Sequence, residues 1–207
     1  MRPALSWIAI FTLLAGCYSG VAHHHRERPV AEWEQILENP ERDAWQRPGQ
    51  VIAALRLRPD EVVADIGAGT GYFTRRFVPL AKSVYAVDVD PKLLDVITRG
   101  KPPNVIPVLA ARDDPRLPKE TIDTVFICDV LHHIENRPAY YEKLRQGLRP
   151  NGRIVIVDFH KRDLPVGPPV AMKLAEKDVI DEFTRAGFRL TRHYDDLPYQ
   201  YMLEFQR

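Results

Sequence analysis

The chain has 207 residues, 29 of them basic and 28 acidic, with 45% hydrophobic residues and two cysteines. A domain of this length buries enough apolar surface to fold alone, and two cysteines exclude a disulfide framework or a thiolate zinc cage. A nearly neutral chain lacks the electrostatic footprint of a nucleic-acid binder, and its 18 prolines are scattered between apolar segments rather than massed in a disordered tract.

The first predicted element is an address. Arg2, the single charge of residues 1–16, precedes an apolar run at 4–15 that exits through Leu14-Ala15-Gly16-Cys17. A basic start, a short hydrophobic stretch and small exit residues describe a secretory signal over 1–16. The Leu-Ala-Gly-Cys ending resembles the bacterial lipobox. That resemblance implies cleavage before Cys17, lipid on its sulfur, membrane attachment through this anchor and residence in the cell envelope. Two alternatives stand beside it. Residues 3–22 are uncharged and about 30 Å long as a helix, enough for an uncleaved anchor. A wrongly assigned start would instead leave the protein in the cytoplasm. Residues 17–29 read as a tether, and His23-His24-His25 beside Arg26 and Arg28 is expected to be solvated. No metal site is predicted.

Residues 30–58 read as a helical lid. Trp33, Ile36 and Leu37 share one helical face, and Pro48 suits the first turn of a second helix carrying Val51, Ile52 and Leu55. Residues 59–207 form the main domain. Apolar runs at 61–66, 83–88, 104–110, 121–128 and 153–159 alternate with helical periodicity at 91–99 and 138–148. Continuous hydrophobicity in the runs means burial on both faces, hence a parallel sheet covered by helices: a doubly wound α/β fold. Pro107 removes a ladder donor, which places the third strand at a sheet edge, as in the order 3-2-1-4-5. A helix over 176–186 ends at Gly187, and runs at 188–194 and 199–205 flank a turn, predicting an antiparallel C-terminal pair.

The strongest chemical signal is Asp65-Ile66-Gly67-Ala68-Gly69-Thr70-Gly71-Tyr72, a glycine-rich turn from strand to helix. Its spacing is G-x-G-x-G. Tyr72 takes the place of the last glycine of the dinucleotide fingerprint, and the ATP-binding G-x-x-x-x-G-K-[ST] pattern is absent. Asp65 puts a carboxylate where a pyrophosphate would approach, with no lysine in the loop to offset it. The loop therefore suits a ligand with a cationic, phosphate-free end.

Four further segments follow in order: Asp88 closing the second run, Asp113-Asp114 after the third, Asp129-Val130-Leu131-His132-His133-Ile134 after the fourth, and the turn Leu148-Arg149-Pro150-Asn151-Gly152-Arg153. With them the chain resembles class I S-adenosylmethionine-dependent methyltransferases, of the small-molecule group that includes quinone-ring C-methyltransferases. The resemblance implies a mostly parallel seven-stranded sheet ordered 3-2-1-4-5-7-6, S-adenosylmethionine as cofactor and a small organic acceptor. Cofactor contacts would come from Asp65, Gly67, Ala68, Gly69, Thr70 and Gly71, from Asp88 at the ribose with Val89 beside it, and from Asp129. Asp113 and Asp114 would lie near the adenine, with a turn-forming role open for either.

Methyl transfer needs a general base only where the acceptor carries a proton of high pKa. His132 and His133 are the candidates, with one of the two expected to line the pocket. Trp45, Tyr72 and His160 are placed on the substrate side. Cys128 reads as an inert core thiol. A competing hypothesis is a membrane-tethered ligand-binding protein that keeps the fold without catalysis, because the cofactor is made in the cytosol and the address points outside it.

Overall fold

Five apolar runs become the parallel strands β1 (Val62–Ile66), β2 (Ser83–Asp88), β3 (Val105–Leu109), β4 (Ile122–Cys128) and β5 (Leu148–Phe159). Two more, β6 (Arg189–Tyr194) and β7 (Gln200–Gln206), join antiparallel, and the sheet order is β3-β2-β1-β4-β5-β7-β6. The computed structural model describes residues 29–207. The predicted signal, Cys17 and the histidine run lie outside the described residues.

The helices are α1 (Val30–Leu37), α2 (Arg42–Gln46), α3 (Pro48–Leu55), α4 (Thr74–Phe77), α5 (Pro91–Thr98), α6 (Arg137–Gly147) and α7 (Glu176–Arg185). Among the described residues no helix is long and apolar enough to cross a membrane. Strand side chains alternate between two helical layers, as their period of two requires. Val62, Ala64 and Ile66 of β1 join a core with Tyr141 and Leu144 of α6 and Phe183 of α7. Val63 points the other way, into a core with Leu55 of α3 and Phe77 of α4.

Pro107 lies on β3, whose paired neighbour is β2, so the missing donor costs no ladder bond inside the sheet. Three local readings change. The N-terminal region holds an additional short helix, α2, between the two expected. The helix after the glycine loop is four residues long, so the loop is held by side chains more than by a helix dipole. The turn expected at 148–153 is extended instead: Leu148 already pairs with Ile122, and a register shift between Ile122 and Thr124 absorbs Pro150 and Gly152.

The layer of α6 and α7 depends on one aromatic cluster. Phe183 is fully buried, stacked on Phe205 at 4.4 Å between ring centroids and packed against Tyr141 at 4.2 Å and Phe188 at 5.6 Å. Phe183→Ala should lower stability by about 3–5 kcal/mol through lost burial and an unfilled cavity. A urea unfolding midpoint that stays at the wild-type value would contradict this packing role.

Candidate active site

The strand order reverses between β1 and β4, because the chain builds outward from β1 to β3 and then returns to β4 on the other side. Such a switch point opens a crevice beyond the carboxyl ends of the two strands. Gly67, the first residue after β1, lies there in a left-handed conformation, φ 70°. A Cβ at Gly67 would stand 2.2 Å from Val130 Cγ2, and one at Gly69 would stand 2.9 Å from Leu37 Cδ1. The loop therefore passes between the start of the β4 exit and the end of α1, where only glycine fits.

A cavity of about 680 Å³ opens at this point. Of the residues singled out from sequence, Asp65, Gly67, Ala68, Gly69, Thr70, Asp129, Trp45, Tyr72, His132 and His133 line it. Both histidines do so, not one. They lie on a single tight 3₁₀ turn, Leu131–His133, with ring centroids 4.2 Å apart.

Other predicted residues fall outside that lining. Gly71 starts the turn into α4, with Ile97 of α5 2.9 Å from where its Cβ would be. Asp88 is 9% exposed and faces the loop itself: its Oδ2 accepts from the Gly69 N–H at 2.8 Å and its Oδ1 from the Asp90 N–H at 3.0 Å. Val89 next to it is half-exposed. Asp113 and Asp114 form a tight turn with Ala111 and anchor α6, where Lys143 Nζ donates to the Asp113 carbonyl at 2.7 Å and lies 3.3 Å from Asp114 Oδ2. The Asp113 side chain is 78% exposed there, and the Arg116 amide holds the Asp114 carboxyl below its usual range. His160 is drawn toward β7, its N–H donating to the Tyr199 carbonyl at 3.0 Å and its ring packing 5.8 Å from Tyr201.

The electrostatics are those of buried carboxylates. Burial pushes Asp65 up to about 6 against the lowering effect of the Thr74 hydroxyl, which donates to its Oδ2 at 2.6 Å. Burial and the charge of Asp158 push Asp129 up to about 7. Asp129 also holds a left-handed backbone, φ 59°, which Asp tolerates better than most residues. Burial lowers the His132 pKa, but the hydrogen bond and charge of Asp158 outweigh it and the net shift is upward. Burial raises the Cys128 thiol, as befits a core position.

Two groups, Asp158 and Arg42, escaped the reading of the sequence. Asp158, fully buried near the end of β5, lies 3.1 and 3.2 Å through its two oxygens from His132 Nδ1. Its one sequence signal is an acid inside an otherwise apolar strand. Arg42 of α2 lines the cavity with its guanidinium 3.9 Å over the Tyr72 ring and 3.9 Å from Asp129. Gln46, fully buried, accepts from Arg42 and donates to Gln200 Oε1 at 2.6 Å, and Gln200 in turn donates to Asp129 Oδ1 at 2.5 Å. Partners 154 residues apart leave no local pattern.

The raised Asp129 carboxyl makes stability depend on pH. Between its unfolded value near 4 and its folded value of about 7, the folded state binds more protons, so this group's contribution falls as pH rises through that window. Asp129→Asn keeps the oxygen that Gln200 donates to. It should unfold about 1–3 kcal/mol harder than wild type at about pH 8 and match it near pH 3.5. Urea titrations showing the same difference at both pH values would reject the assignment.

Against this geometry stand the similarities to known proteins. Residues 64–156 match the family described as a methyltransferase domain. An uncharacterized methyltransferase of Mycobacterium tuberculosis is 35% identical over 105 residues, covering 51% of this chain and 42% of that protein. A demethylmenaquinone methyltransferase of Streptomyces griseus is 33% identical over 117 residues, covering 56% and 49%. The chain thus spans less than half the length of either relative. A crystal structure of an S-adenosylmethionine-dependent methyltransferase from Aquifex aeolicus superposes with a TM-score of 0.79 at 21% identity, over 87% of this chain and 99% of that one. Residues 64–156 therefore resemble a methyltransferase domain, in a chain whose sheet order and fold are those of the class I methyltransferases.

Proposed function

We propose that the protein is an S-adenosylmethionine-dependent methyltransferase acting on a small organic acceptor. The observation that carries this reading is a glycine loop bordered by two buried carboxylates, Asp65 and Asp88, and opening on a cavity with a histidine wall. The donor set fits the cofactor. Left-handed glycines without side chains leave the loop backbone bare, and carboxylates with no lysine among the described lining residues accept a cation. Bound there, the cofactor supplies an electrophilic methyl group on a sulfonium whose departure leaves no charge behind.

The chain's own residues then have separate tasks. Asp65 and the backbone at Gly67 would hold the cationic end, and Asp88 keeps the loop in shape through the Gly69 amide while offering its carboxylate to the ribose side. Trp45, packed at a tilt 5.6 Å from Phe159, forms with Trp33 and Phe73 an apolar wall for the acceptor that excludes water. Holding two reactants aligned can itself contribute about 7–11 kcal/mol. The N-terminal helices act as a lid, clasping the loop through Glu38, which accepts from the Thr70 hydroxyl at 2.5 Å and pairs with Arg75 at 2.5 Å. Likeness to the Streptomyces protein over the domain supports a small acceptor.

Calorimetry is expected to show binding of S-adenosylmethionine and not of NADH. Asp88→Ala should weaken that binding by about 1.5–3 kcal/mol. Failure of the folded wild-type chain to bind, or an unchanged affinity in the variant, would reject the cofactor assignment.

We infer a lipid anchor at Cys17 from the Leu14-Ala15-Gly16-Cys17 ending. It would place the methyltransferase domain at the cell envelope on a tether of residues 17–29. Labelled fatty acid should enter the wild-type chain and not a Cys17→Ser variant; equal labelling of the two would refute the anchor.

A further inference from the structure

Resting on the methyltransferase reading above, we propose that His132 is the general base of the site, positioned by Asp158, and that the acceptor therefore belongs to the class of phenols, enols and acidic carbon compounds.

The geometry fixes the state of the His132 ring. The His132 side chain is 3% exposed and the Asp158 side chain is fully buried beneath it. A carboxylate can only accept, so Nδ1 donates to Asp158, and the neutral ring carries its lone pair on Nε2. Nε2 is the nitrogen left for the cavity that the ring lines. Asp158 is itself oriented, with Oδ1 accepting from the Phe159 N–H at 2.8 Å. A buried acid that fixes the tautomer of an imidazole on a reaction cavity is an arrangement for removing a proton. His133 lies exposed at the same turn, its ring flanking that of His132 at 4.2 Å between centroids.

The step assigned to the chain is a proton transfer. An O–H or activated C–H bond of the acceptor breaks, its electron pair stays on the acceptor atom as the nucleophilic pair, and the proton moves to Nε2. The imidazolium later returns the proton to water. Thioethers, pyridines and tertiary amines have no proton to lose and gain nothing from such a base, so the pair points to a substrate that does.

The groups facing His132 set its titration. Asp158 lies beneath it on β5, Asp129 at the exit of β4 acts on it through charge, His133 adjoins it, and Tyr201 of β7 and Cys128 of β4 both sit in the field of Asp158. The two aspartates favour the imidazolium, and burial opposes them.

The first measurement needs no cofactor. Nitrogen NMR of the full chain is expected to show neutral His132 protonated on Nδ1 and titrating above an ordinary histidine. Asp158→Asn should lower the midpoint by about one pH unit. Neutral His132 protonated on Nε2, or a midpoint that Asp158→Asn leaves in place, overturns the proposal.

The second measurement uses S-adenosylmethionine with two acceptor sets, phenols and 1,3-dicarbonyls against thioethers and pyridines. Product is expected from the first set, with a loss of about 100-fold or more in His132→Gln. The acid limb of the rate–pH profile should move to lower pH in Asp158→Asn, a shift that a merely structural role would not produce. Product from the second set alone or from neither set, or an unshifted limb, overturns the substrate class. Failure to bind S-adenosylmethionine at all would instead strike the underlying reading and leave the NMR result standing.

Discussion

Four parallel strands end side by side in acids, and the rest of the site is arranged around keeping those acids satisfied. Asp65 is next to last in β1, Asp88 ends β2, Asp129 follows β4 and Asp158 is next to last in β5. A carboxylate taken out of water costs several kcal/mol unless it finds donors or neutralises. Each solves this differently. Asp88 takes two backbone amides, which shape the glycine loop, and Asp65 takes the Thr74 hydroxyl. Asp158 takes an amide and an imidazole, and Asp129 takes the Gln200 amide and the nearby charge of Arg42. The loop, the histidine turn and the N-terminal helices are the suppliers of these donors.

This requirement explains why the N-terminal helices dock where they do. Their exposed ion pairs, Glu38 with Arg75, Asp43 with Arg76 and Glu34 with Arg99, contribute at most about 1 kcal/mol each. The buried relay Arg42–Gln46–Gln200–Asp129 matters more, because removing one member strands another polar group out of reach of water. Tyr72 adds a second fastening, its ring held between the guanidiniums of Arg42 and Arg76 at 3.9 Å each and its hydroxyl donating to Asp43. One short helix, α2, therefore joins the cavity roof to the β4 exit and to β7.

The fold was legible because its signals are local. Buried strands of Val and Ile, a proline on the edge strand and glycines with a fixed spacing each act over a few residues; together they indicate a doubly wound sheet with the third strand at its edge, and the family resemblance implies the rest of the order. The loop acids were legible for the same reason: Asp65 directly precedes the last residue of its apolar run and Asp88 closes the next. What stayed hidden depends on partners distant in the chain. Asp158 gains its role only where His132 stands over it, and the pairing of Gln46 with Gln200 exists only once the sheet closes. Asp113 shows the converse. Its place after the third strand suggested a cofactor contact, yet a tight turn and the Lys143 side chain direct it to solvent.

The distribution of charge around the cavity follows from these arrangements and limits what it accepts. Asp65 and Asp129, with folded values of about 6 and 7, stand near their own titration points and change charge readily when a cation arrives. A cationic ligand lowers both values and gains from the ionised form, whereas a phosphate would raise them further and meet one guanidinium already occupied by Tyr72 and Gln46. Asp158 stands apart from this adjustment, since its proton-donating partner is the His132 ring rather than the cavity. One row of strand ends thus divides into acids that take up a cationic ligand and an acid that orients an imidazole. A single carboxylate could not do both, because ionisation driven by the cation would change the hydrogen bond that sets the histidine's tautomer.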